Sequence, residues 1–210
     1  MSEPRDFHRP VRRPAEVFDR VFASTDPAEV SRVAHSTAAA LVGRVRAQPT
    51  DVVDRLVAFT DEHGIDTIAE LWSRSPALSL PGALWRLYLM QLMVRDDART
   101  TALQYERGRA VRDSVDVVVA GAPTPAGPEE LTALVDEILR GAFAGDFAIA
   151  LERAASFCRV EAAGVADLAD DYDDSEPERS SALTTRALRL DTYARDLTTC
   201  AALWRRDSLH

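Results

Sequence analysis

The sequence predicts an all-α fold, a single-domain bundle of roughly nine helices, and three observations carry that expectation. Apolar residues recur at helical rather than alternating spacing along nearly the whole chain. All eleven prolines fall at the N-terminus or between such segments, where proline is tolerated or marks a boundary. Strand signals are nearly absent. The one β-like run, "VDVVVAG" at 115–121, continues a helical pattern from Asp97 and closes on Gly121, a residue type suited to a helix C-terminus.

Residues 1–13 read as a flexible Pro/Arg-rich arm, and 14–210 as one helical domain, long enough to bury a sizeable core. Helices are expected near 14–24 and 27–47, the second with Asp26 as N-cap and Pro27 in its first turn. A helix near 50–62 ends at Gly64, and one near 67–74 opens with Thr67 and Glu70 in capping-box spacing.

The segment 80–95 is the most apolar of the chain: from Ala83 to Val94 only Arg86 and Gln91 are polar. Its apolar run is about a dozen residues, well short of the roughly 20 that cross a bilayer. A helix apolar on nearly all sides is one surrounded by other helices. We therefore expect 80–95 to be the central helix, with Trp85, Leu87, Tyr88, Leu89, Leu92 and Met93 as its packing centre. The rival reading is an apolar ligand pocket lined by Trp85, Tyr88, Met90 and Met93, since methionines and aromatics also build adaptable sites.

A long helix near 97–120 leads to the loop "GAPTPAGPEE", which places Pro128 in the first turn of the next helix. Helices follow near 128–140, with Leu131, Leu134, Val135, Ile138 and Leu139 as the apolar stripe, and near 146–163; Gly141 and Gly145 between them are turn chemistry. Residues 164–180 read as an acidic loop. The terminal helix, 181–206, carries the most regular pattern: Leu183, Ala187, Leu190, Ala194, Leu197, Ala201 and Trp204 alternate spacings of four and three. Such a seam wants a long partner helix at a shallow angle. That partner is either another helix of the same chain or a second copy, in which case the protein is a homodimer.

Composition narrows the function. Apolar residues make up 46% and charged residues 28%, as in ordinary globular proteins. The chain contains no Lys and no Asn, which excludes a P-loop lysine, a Schiff-base lysine and an N-glycosylation sequon. The net charge is −9, and eight acids without a base lie between Val160 and Glu178, leaving the rest near neutral. Nucleic-acid binding through the overall field is not expected. The N-terminus has no apolar stretch behind its arginine pair, so we expect a cytoplasmic protein, with neither a signal peptide nor a membrane span.

Chemistry-bearing motifs are scarce. HExxH, ExxH pairs, GxSxG, GxGxxG and CxxC are all missing. No cofactor, metal or catalytic residue is expected. Cys158 and Cys200 read as buried thiols, and the acidic run lacks the alternating spacing that wraps Ca²⁺. Arg95, Arg99, Arg107, Arg109 and Arg112 around Tyr105 offer an anion-binding face, against which stand the interleaved acids of a salt-bridged surface.

The strings "SLPGALWRLYLM", "ILRGAFAGDFAIALERAASFCRV" and "LTTCAALWRR", with the arm "FHRPVRRP", resemble a family of uncharacterised all-helical actinobacterial proteins. The resemblance implies a cytoplasmic helical fold and no site. Relatives are sometimes labelled RNA polymerase β-type subunits, but that activity needs an Asn-containing metal loop, and this chain has no Asn. The expected function is therefore that of a non-enzymatic interaction or regulatory protein that self-associates, with a helical small-molecule sensor as the alternative. The arm supplies the expected partner-docking residues: Arg5, Arg9, Arg12 and Arg13 for an acidic surface, and Phe7 as an apolar anchor.

Overall fold

The computed structural model describes residues 26–43, 66–111, 115–121 and 127–210. Among them every regular element is an α-helix: α1 (Pro27–Leu41), α2 (Asp66–Trp72), α3 (Leu80–Asp96), α4 (Ala98–Val111), α5 (Val115–Ala120), α6 (Pro128–Ala144), α7 (Phe147–Asp170) and α8 (Pro177–Arg205). The all-α bundle predicted from periodicity is what the chain forms. The helices expected near 14–24 and 50–62, and the arm 1–13, lie outside the described residues. The segment expected as one helix over 97–120 appears as α4 and α5.

Local chemistry explains three of the described helix starts. Asp26 caps α1 by accepting the Ala28 N–H at 2.9 Å, and Pro27 occupies a first-turn position whose N–H would be unpaired in any case. Ser79 caps α3: its hydroxyl accepts from the Gly82 N–H and donates to the Pro76 carbonyl at 2.7 Å. Asp146 accepts the Ile149 N–H to open α7. The chain after α8 folds back onto the start of α3, burying Leu209, and the Leu80 N–H donates to the His210 carbonyl oxygen at 2.9 Å.

Helix α3 is in contact with α1, α2, α4, α6, α7 and α8, so its central placement holds. The two polar residues between Ala83 and Val94 each reach a carboxylate on another helix: Arg86 bonds Asp196 of α8 at 2.7 and 3.0 Å, and Gln91 donates to Asp136 of α6 at 2.9 Å. The expected packing centre needs correction. Leu87 is fully buried, but Trp85, Tyr88, Leu89 and Met93 are only half-buried and Leu92 is exposed. The buried face of α3 is instead Leu80, Ala83, Leu84, Leu87, Met90 and Val94.

The deepest layer is α7, packed against α3, α4, α5, α6 and α8. Its small residues allow the neighbours close. A Cβ on Gly164 would lie 1.7 Å from the Gln104 carbonyl oxygen, and one on Gly108 would lie 1.9 Å from that of Val160. Glycine is therefore required on both sides of the α4–α7 crossing. Tyr105 and Phe157, both buried, stack beside it at 5.2 Å.

The seam of α8 is buried inside the chain. Ala194, Leu197 and Ala201 are 0% exposed, Leu190 and Ala187 are buried, and Leu183 and Trp204 are partly covered. Their partner is chiefly α7, which runs antiparallel: Phe147 at its start meets Trp204 edge-on at 4.7 Å near the end of α8. The homodimer version of this seam is thus corrected to intramolecular packing, because α7 already occupies the stripe.

The expected acidic loop 164–180 is also corrected. Helix α7 continues to Asp170, a turn spans 171–175, and α8 starts at Pro177. Acids at a helix C-terminus oppose the helix dipole, and no base lies nearby in sequence. Tertiary structure supplies one: Arg107 of α4 reaches Asp167 at 2.9 Å and Asp171 at 2.6 Å. The Arg179 guanidinium sits over the Tyr172 ring at 3.9 Å and the Ser180 hydroxyl bonds Asp173, which closes the turn.

Candidate functional site

The four residues expected to line an apolar pocket do not converge. At about 100° per residue, Trp85, Tyr88, Met90 and Met93 spread over roughly 200° of the α3 surface. Met90 is in the core, while Trp85 and Tyr88 stack on each other at 5.5 Å on a partly exposed face. A cleft of about 430 Å³ does exist, but between α1 and α2 and the turn after α2. Val30, Ala34 and Leu71 form its apolar wall, and Ser31, Glu70 and Arg74 its polar rim. None of the four expected residues lines it.

The arginine face also resolves differently. Tyr105 points into the core, Arg107 is committed to Asp167 and Asp171, Arg109 bonds Glu106 at 2.7 Å, and Arg95 approaches Asp136 at 3.9 Å. These side chains neutralise acids of their own chain. Arg112 and the arm residues Arg5, Phe7, Arg9, Arg12 and Arg13 lie outside the described residues. Both cysteines are free and buried, and burial pushes the Cys158 thiol up to about 12 and Cys200 to about 11, far from thiolate chemistry at neutral pH.

The surface feature that the sequence reading missed is α5. Val115, Val118 and Val119 follow helical i, i+3, i+4 spacing and are 71%, 78% and 39% exposed. Val111 at the end of α4 and Ile149 in the first turn of α7 are exposed as well. The opposite side of α5 is polar and inward: buried Asp116 accepts from Arg159 at 2.7 Å and from Ser156 at 3.2 Å. Arg153, one turn beyond Ile149, donates to the Ala120 carbonyl oxygen at 3.3 Å and holds the end of α5 on α7. The helix is therefore inverted, with its acid inside and its valines outside. An acid at the second position of "VDVVVAG" was the available signal, because one buried acid needs an arginine partner and turns the valines outward.

Among the described residues no group of three or more His, Cys, Asp or Glu side chains is arranged to hold a metal ion. No described helix is long and apolar enough to cross a membrane. Comparison of the chain with protein-family models, with curated proteins and with solved structures finds no match.

Proposed function

We propose that this chain is a non-enzymatic protein-interaction module that self-associates through the outer face of α5. The single observation behind this reading is that three valines of one short helix face solvent on one side while its acid is tied down on the other. Exposed contiguous apolar surface of this kind marks association sites. A second copy is the favoured occupant because the described residues of this face carry no charge: two copies can meet there about a two-fold axis without these side chains opposing charges. Elsewhere the net charge of −9 works against self-approach.

The test is sedimentation velocity on the full chain and on the Val115→Glu/Val118→Glu variant. The wild type is expected to show a concentration-dependent dimer, and the variant a monomer with unchanged helical circular dichroism, since neither side chain is in the core. A wild type that stays monomeric at all concentrations, or a variant that dimerises as before, removes the reading. The sensor reading rests on the α1–α2 cleft, whose volume lies within the range of small-molecule sites.

A further inference from the structure

Glu161 lies in α7, the deepest helix, with its side chain 0% exposed. Neither carboxyl oxygen has a hydrogen-bond partner. From α8 it is faced by Arg186, whose Nη2 is 3.7 Å from Oε1, too far for a hydrogen bond, and whose side chain is 36% exposed. From α4 it is faced by Tyr105, whose buried hydroxyl is also without a hydrogen-bond partner and whose ionisation the Glu161 charge opposes. Arg109 of α4 pairs with Glu106. On α7 itself the neighbour is Cys158, and Asp116 from α5 is closed on Arg159 and Ser156. Of the charges on α3 and α6, Arg86 is engaged with Asp196, Arg95 lies 3.9 Å from Asp136 and Glu137 pairs with Arg153.

A carboxylate in such a place would have no hydrogen bond and only the Arg186 charge at 3.7 Å to offset its burial, so the group keeps its proton instead. We propose that Glu161 packs as a neutral acid whose proton holds the α4–α7–α8 junction closed, and that losing it loosens the N-terminal half of α8 around Arg186. That half is the end able to move. Leu183 is half-covered and Ala187 is 8% exposed, whereas Ala194, Leu197, Cys200 and Ala201 are sealed at 0%. On the α4 side the Gly108 and Gly164 contacts leave the backbones no slack.

Burial pushes the Glu161 carboxyl up to about 8, with the Arg186 charge opposing. Because this lies above the ordinary glutamate value of 4.5, the stability tied to the proton is complete below pH 4.5 and is lost as pH rises to about 8. Cys158 and Cys200 titrate higher, at about 12 and about 11, so they do not share the window.

Two measurements on the full chain test the proposal. Carboxyl carbon NMR of the wild type is expected to place the Glu161 midpoint near 8, and Arg186→Gln to raise it further, because Arg186 favours the ionised form. A midpoint near the ordinary glutamate value of 4.5 overturns the proposal. Amide exchange at residues 183–190, corrected for intrinsic rates, is expected to rise about tenfold between pH 6 and pH 9 in the wild type. Glu161→Gln, which cannot ionise, is expected to lose that rise. Equal protection at both pH values in the wild type, or a rise that survives in Glu161→Gln, overturns it as well. Should Glu161→Gln fail to fold, the titration of the wild type and of Arg186→Gln still decides.

Discussion

Helices α3 and α7 form an instructive pair. By composition α3 is the core helix, yet Trp85, Tyr88, Leu89 and Met93 are half-covered and Leu92 is exposed. By composition α7 is mixed, with Ser156, Arg159 and Glu161 along it, yet it takes Ser156, Cys158 and Glu161 to full burial. The difference lies in residue size. Helix α7 presents Ala150, Ala154, Ala155, Ala162 and Gly164, which let α4 and α8 approach until little side-chain volume separates the backbones. Helix α3 carries large side chains all round, and a helix with a thick collar cannot be approached as closely from every direction. Depth here follows from how near the neighbours can come, with hydropathy a secondary guide.

Three substitutions sharpen or break that comparison. Phe157→Ala, which removes a fully buried ring from α7 and leaves Tyr105 without its stacking partner, is expected to cost ~3–5 kcal/mol in chemical denaturation. Gly164→Ala comes next at about 3 kcal/mol, because its methyl must displace the α4 backbone at Gln104 rather than a side chain that can rotate. A conservative small residue that costs this much would mark close approach as the determinant of the α4–α7 joint; a loss below ~0.5 kcal/mol would show that the crossing can relax freely. Trp85→Ala, on the most apolar helix, is expected to lose only ~1–2 kcal/mol, since the side chain is only partly buried. If Trp85→Ala proves as damaging as Phe157→Ala, then α3 rather than α7 is the energetic centre.

Much of the architecture was readable in advance, for reasons that specific residues make plain. The cap Asp26, the first-turn prolines Pro27 and Pro128, and the α6 stripe Leu131, Leu134, Val135, Ile138 are local patterns, and local patterns are written in consecutive residues. The α8 stripe was equally readable as something to be buried. Its partner was not, because a heptad face of Leu and Ala fits a helix of the same chain as well as one from another copy. The candidate interaction face escaped for a related reason. "VDVVVAG" reads as the end of a helix with no face assigned to it, and only the Arg159 and Ser156 partners of Asp116, some forty positions later, turn its valines outward.

What the sequence determined by itself was the class of fold, the places where helices begin, and which stripes must be covered, since those depend on backbone propensity and periodicity within a few residues. Tertiary structure decided which helix lies deepest, that the acidic stretch 164–180 is mostly helical, and that Glu161 has no hydrogen-bond partner. Each of these turns on a group distant in sequence: the Gln104 carbonyl against Gly164, Arg107 against Asp167 and Asp171, and Arg186 stopping 3.7 Å short of Glu161. Burial and charge pairing are properties of neighbourhoods, and neighbourhoods exist only once the chain has folded.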